Sequence, residues 1–275
     1  MGQIDLAAHV AGTATRDAIR SEADLQSDIR TLLLYGGLSL DDPEVRLETP
    51  SPGRRRIDIE SGRTVIECKK DLRVGNVREE AVQQLAGYVG ERTAQLGQRY
   101  AGILTDGAEW ELYRLNPADG SIDLVSSVVI KPEAPNFEAL LVWLEGVMST
   151  AARLVPTPLE VERKLGATSP GFQLDLAELR DIYAFCRNDS EIRMKRELWA
   201  RLLAAAFGTH FEDTDDLFIE HTYLVLTAET VAHALVGFDL HGGIDPKALV
   251  TGELFHQHEI TGVVNADFFE LASRN

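Results

Sequence analysis

The chain is poor in cysteine: only Cys68 and Cys186 occur in 275 residues. They are too few and too far apart for a disulfide framework or a zinc site. No apolar run reaches membrane-spanning length, and the start, Met1-Gly2-Gln3-Ile4-Asp5-Leu6, lacks the basic and then apolar order of a secretory signal. These absences lead to the expectation of a cytoplasmic protein without membrane association. No internal repeat or low-complexity tract occurs. Positive charge is also scarce, with 27 Lys and Arg against 44 Asp and Glu, a net charge of −17. That balance argues against a phosphate-rich partner, but its distribution weakens the objection. Residues 51–100 hold 10 Lys/Arg and 7 Asp/Glu, whereas residues 209–275 hold 2 and 12. One basic and one acidic region suit a chain with a nucleic-acid face and a second face turned elsewhere.

What is present is ordinary for a folded protein: 44% hydrophobic and 26% charged residues. The length allows one large or two modest domains. Ser21 with Asp24 forms a capping-box signal for a helix carrying Leu25, Ile29, Leu32 and Leu33. Residues 38–53, with Pro43, Pro50 and Pro52, read as turn and loop. Two strands joined at Ser61-Gly62 follow, then a helix over 77–96. A buried strand over 100–105, a turn at Asp106-Gly107, a strand at 110–113 and a further strand at 124–130 come next. This order predicts an α/β core with a mixed sheet. A helix over 136–153 closes this part. Pro156, Pro158 and Pro170 mark a linker, after which helices dominate over 175–188, 190–207 and 215–236. The last is apolar on most sides and reads as buried.

The chemistry concentrates in Arg54-Arg55-Arg56-Ile57-Asp58-Ile59-Glu60-Ser61-Gly62-Arg63-Thr64-Val65-Ile66-Glu67-Cys68-Lys69-Lys70. Side chains alternate along a strand, so Glu67 and Lys69 share a face, and hairpin pairing brings Asp58 alongside. Two carboxylates and a lysine flanked by arginines suit phosphodiester hydrolysis. Mg²⁺ takes hard oxygen ligands, here Asp58, Glu67 and the Cys68 backbone carbonyl, and Mn²⁺ would substitute. Lys69 would orient the attacking water or stabilise charge on the phosphate. Arg54, Arg55, Arg56, Lys70 and Arg73 are candidate phosphate contacts. Plainer accounts stay open. The charges also fit a solvated cross-strand pair, and Arg54–Arg56 fits a solvated turn.

Asp58, eight residues, then Glu67-Cys68-Lys69 resembles the motif of the PD-(D/E)xK nuclease superfamily, with Ile57 in place of its proline. Glu22 fits the additional acidic position of many members, and equally a carboxylate favouring a helix N-terminus. Gln84-Leu85-Ala86-Gly87-Tyr88 resembles the QxxxY motif of one branch, though Gln84 and Tyr88 also fit a polar helix pair. Thr105-Asp106-Gly107, with Trp110 and Tyr113, resembles the strand-turn-strand that follows in such domains. The resemblance spans about residues 21–130 and implies a restriction-endonuclease-like mixed sheet flanked by helices, followed by a mostly helical region. It implies a Mg²⁺-dependent endonuclease acting on double-stranded DNA in restriction–modification or phage defence, with transient dimerisation on DNA. Glu22, Gln84 and Tyr88 would join the catalytic set.

Residues 215–224 resemble the helical connector of type IIG-like single-chain restriction–modification enzymes, and Asn265-Ala266-Asp267-Phe268-Phe269 resembles the sequence at the entrance to their methyltransferase. The implied organisation is a nuclease-like domain over 1–153, a linker over 154–173, and a connector over 174–275 leading toward a methyltransferase. The chain has no Gly-rich cofactor loop after a strand and no Asn-Pro-Pro-Tyr motif. The methyltransferase and specificity module is therefore expected in cis beyond Asn275 or in trans. The alternative function is a catalytically degenerate nuclease fold that binds and couples, docking a DNA methyltransferase through its acidic half. His210, His221, His233, His241, His256 and His258 read as core or surface residues, Cys186 as a small core residue, and Trp110, Trp143 and Trp199 as packing residues.

Overall fold

The computed structural model describes residues 5–16, 19–51, 55–148, 157–208, 211–237 and 250–259. It is an α/β structure: a six-stranded mixed sheet with flanking helices and a helical C-terminal region. The chain divides into two units, Met1–Leu174 and Asp175–Asn275, with the boundary inside one helix.

In the first unit α1 (Leu6–Ala14) and α2 (Glu22–Tyr35) precede β1 (Val45–Ser51), β2 (Arg55–Ser61) and β3 (Thr64–Cys68). Helix α3 (Val77–Leu96) leads to β4 (Ala101–Thr105), β5 (Glu109–Leu115), β6 (Ile122–Val129) and α4 (Phe137–Met148). Strands lie in chain order across the sheet. Every neighbouring pair is antiparallel except β3 and β4, which are parallel because α3 carries the chain back between them.

The Ser21–Asp24 capping box forms as the sequence predicts, satisfying free amides at the start of α2. Leu25, Ile29, Leu32 and Leu33 then bury one stripe of α2 against one sheet face, with Ile59, Ile66, Ile103, Trp110 and Leu112. On the other face Ala81, Leu85, Tyr88 and Val89 of α3 pack on Ile57, Val65, Leu104 and Tyr113. Successive residues Val65 and Ile66 thus enter different cores, as strand alternation requires. All five residues of β3 are buried, so any charge on it is held in a desolvated place.

Two expectations need correction. The expected loop over 38–53 contains β1. It is an edge strand in which only Val45 is fully buried, so it lacks the apolar alternation that marks a strand, and Pro50 is tolerated at an edge. The expected linker over 154–173 contains α5 (Pro158–Leu165) and the start of α6 (Pro170–Cys186). Pro158 and Pro170 are the first residues of those helices, where a missing N–H costs nothing; they start helices here rather than break them. Residues 154–156 lie outside the described residues.

In the second unit α6 is followed by α7 (Ser190–Phe207), α8 (Asp215–Val236) and the short α9 (Glu253–Gln257). Trp199 packs edge-on to Phe218 with ring centroids 5.1 Å apart, and the Arg196 guanidinium lies 4.8 Å from the Trp199 ring. The expectation of a buried α8 holds for one side only. Phe218, Ile219, Thr222 and Tyr223 are buried, whereas Leu224 and Leu235 are 61% and 83% exposed. Cys186 and all three tryptophans are buried packing residues, as expected.

Candidate active site

Glu67 extends from β3 into the α3 side of the sheet, and its side chain has no exposed surface. Its partner Lys69 follows two residues on, with Nζ 2.5 Å from Glu67 Oε1. The other Glu67 oxygen, Oε2, is buried and has no hydrogen-bond partner. An orphaned buried carboxylate oxygen is costly unless something positive meets it.

Asp58 completes the group through a local irregularity. Ile57 packs in the α3-side core and Ile59 in the α2-side core, although residues two apart in a strand share a face. Alternation therefore breaks at Asp58. Across the pair, Leu47 lies opposite Ile59 and Thr49 opposite Ile57, which leaves Glu48 facing Asp58 with φ at 51°. That left-handed backbone is uncommon for a residue with a side chain. The β2–β3 pairing runs from Ser61↔Thr64 to Ile59↔Ile66. Beyond it Asp58 Oδ2 accepts the Cys68 amide at 2.8 Å. The Cys68 side chain enters the opposite core, so only its backbone is available at the site.

Electrostatics follow from this burial. Desolvation, with Glu22 and Glu48 adding negative charge, pushes Asp58 up to about 6 against the Cys68 amide and Lys69. Desolvation and the neighbouring Asp58 carboxylate push Glu67 up to about 7 against the pull of Lys69. Burial works to lower the Lys69 pKa, but the Glu67 hydrogen bond and charge outweigh it and hold the ammonium above its usual value. Glu22, the first residue of α2, is exposed and enters the electrostatics of Asp58, Glu67 and Lys69.

Gln84 and Tyr88 meet the site from α3. Gln84 Oε1 lies 3.4 Å from Lys69 Nζ, its Nε2 donates to the Tyr88 hydroxyl at 2.9 Å, and that hydroxyl donates to the Arg56 carbonyl at 2.7 Å. The chain of contacts fixes the Gln84 carboxamide so that its oxygen faces the lysine. Tyr88→Phe should cost about 1–2 kcal/mol of stability, read as a lower urea midpoint at unchanged slope, because the part-buried Arg56 carbonyl and Gln84 both lose a partner.

The basic residues divide. Arg56 is exposed and reaches Glu48 at 3.5 Å. Lys70 is exposed just past β3. Arg73 is exposed and held by Asp71 through contacts of 2.9 and 2.8 Å, which raise its pKa. Arg54 lies outside the described residues, as does the side chain of Arg55, whose backbone pairs with Ser51.

Three residues near the site were not singled out by sequence as site residues. Glu48 has no signal because β1 itself lacked one. Asp106 read only as a turn residue, and Arg16 lies far off in sequence. The Leu72 amide donates to Asp106 Oδ2 at 3.1 Å, and Arg16 Nε donates to the same oxygen at 2.7 Å. Among the described residues no group of three or more His, Cys, Asp or Glu side chains could hold a metal ion. Any cation here would rest on two carboxylates, backbone oxygen and water, a donor set that Mg²⁺ accepts and zinc does not favour. No family model, curated protein or solved structure matches this chain.

Proposed function

We propose that this chain is a Mg²⁺-dependent DNA endonuclease module with a restriction-endonuclease-like fold of the PD-(D/E)xK kind, working in restriction–modification or phage defence. The observation that carries the reading is Glu67 Oε2, buried without a partner beside Asp58 and two residues from Lys69. Two desolvated carboxylates with raised pKa values form a place where a divalent cation would replace a proton at neutral pH.

Asp58, Glu67 and the Cys68 carbonyl would hold Mg²⁺, with Mn²⁺ as a substitute. Bound there, the ion would supply an activated water and neutralise charge developing on the phosphodiester. Lys69 stays protonated because Glu67 holds its proton. Its part is to donate a hydrogen bond to the attacking water or to a phosphate oxygen, rather than to remove a proton. Gln84 and Tyr88 orient it. Glu22 adds negative potential and would reach the ion through water. Arg54, Arg55, Arg56 and Lys70 would contact phosphates of double-stranded DNA, and Arg73 would do so on leaving Asp71. A methyltransferase or specificity module would choose the sequence, and dimerisation on DNA would cut both strands.

A second reading is a degenerate nuclease fold that docks a DNA methyltransferase. The exposed apolar residues Leu224, Val231 and Leu235 on α8 favour it. Cleavage separates the two. Wild type should cut plasmid or phage DNA in Mg²⁺ and stop on chelation, and Glu67→Ala and Lys69→Ala should each lose at least about a hundredfold in rate. Equal cleavage by all three proteins would sink the site. No cleavage by any of them, with the methyltransferase and its cofactor supplied, would favour docking.

A further inference from the structure

Asp106 and Arg16 hold the backbone that carries Lys69. The Asp106 side chain has no exposed surface. Its Oδ1 accepts the amides of Ala108 at 3.1 Å and Glu109 at 2.9 Å, which closes the turn between β4 and β5. Its Oδ2 serves a different purpose, accepting the Leu72 amide from 34 residues away and Arg16 Nε from 90 residues away. Arg16 Nη2 also reaches Asp106 Oδ1 at 3.2 Å and Glu109 at 2.7 Å. One residue before Asp106, the Thr105 carbonyl accepts the Lys69 amide at 2.9 Å. The turn thus grips the segment Lys69–Leu72 at both ends.

The turn alone does not need a carboxylate, since an Asn side chain closes such turns equally well. The second oxygen, the buried charge and the distant arginine are additional. A buried ion pair is a poor means of adding stability, because desolvation consumes much of its attraction. It is a good means of fixing one geometry.

We propose that Asp106, seated by Arg16, is a positioning residue for Lys69: its Oδ2 fixes the path of the chain leaving β3, and with it the reach of Lys69 Nζ. The proposal rests on the nuclease reading for what Lys69 does, and on the hydrogen bonds alone for how it is held.

Asp106→Asn tests it selectively. The carboxamide oxygen still serves the turn amides, while its NH₂ faces two donors, the Leu72 amide and Arg16 Nε. In the full chain, below its unfolding temperature, the Leu72 and Lys69 amides should exchange hydrogen at least about tenfold faster, with Ala108 and Glu109 unchanged. The single-turnover cleavage rate at saturating DNA should fall about tenfold or more, because small misplacements of a reacting group are costly, with DNA affinity held within about twofold. Arg16→Lys keeps the charge without the planar fork, so it should give the same pattern at smaller amplitude. It decides the matter if Asp106→Asn does not fold. Unchanged exchange at Leu72 and Lys69, or faster exchange with an unchanged cleavage rate, would overturn the proposal. A wild type that binds Mn²⁺ and cuts no DNA would instead remove the nuclease reading, and the exchange rates would still decide whether Asp106 holds Lys69.

Discussion

Replacing Glu67 with glutamine should make the cation-free protein more stable at pH 8 and abolish Mg²⁺-dependent cleavage. Glu67 is fully buried, and burial with the Asp58 charge raises its pKa to about 7. At pH 8 the native state therefore holds an ionised carboxylate in a place that penalises its charge. Linkage fixes the sign. The folded pKa lies above the unfolded value, so the native state binds more protons between about pH 4.5 and 7, and stability falls as pH rises through that window. Asp58, raised to about 6, contributes in the same direction over a lower range. Glutamine removes the ionisation cost and should raise stability at pH 8 by about 1–2 kcal/mol, less than the full shift implies because Lys69 loses its closest partner. Thermal unfolding of both proteins from pH 4.5 to 8.5 checks this: the wild-type curve should decline across the window and the variant curve should be flatter. Cleavage should fall about a thousandfold, the scale expected when a charge that stabilises the transition state is lost. A gain in stability joined to a loss of function is the mark of a strained functional residue.

Gly107→Ala should be strongly destabilising. Gly107 has φ at +87°, and an added Cβ would lie 2.0 Å from the Thr13 carbonyl oxygen and 2.9 Å from its carbon. Backbone cannot swing aside as a side chain can, so α1 would have to move away from the turn that holds Asp106. The cost should be about 3 kcal/mol or more, with most of the protein insoluble. Gly62 gives an internal comparison. It has φ at +55° with nothing within 4 Å of an added Cβ, so Gly62→Ala should cost only about 1 kcal/mol of backbone strain. Urea midpoints of the two variants check the contrast. Equal midpoints would mean that the close approach to Thr13 does not matter.

Much of the first unit is legible in sequence because its signals are local. The Ser21–Asp24 cap, the Gly62 turn, the stripe of α2 and the Asp106-Gly107 turn each lie within a few residues. Strand alternation joins Glu67 to Lys69 and hairpin pairing adds Asp58, whereas Gln84 and Tyr88 enter the set only through the family resemblance; the structure brings all five to one spot. What sequence misses is non-local or irregular. β1 has no alternation to read, since its outer positions face solvent. Glu48 faces Asp58 only through that strand. Arg16 finds Asp106 across 90 residues, and no spacing rule connects them. The prolines at 158 and 170 misled because the same residue that ends one helix begins the next.

On the proposed reading Asp58 and Glu67 form one divalent-cation site. Titration of Mn²⁺ into the cation-free protein at pH 7.5, followed by electron paramagnetic resonance, tests it without DNA or turnover. One saturable site, competed by Mg²⁺, is expected in the wild type, and its loss in both Asp58→Asn and Glu67→Gln while the two variants remain folded. Saturable binding that persists undiminished in both variants would contradict it.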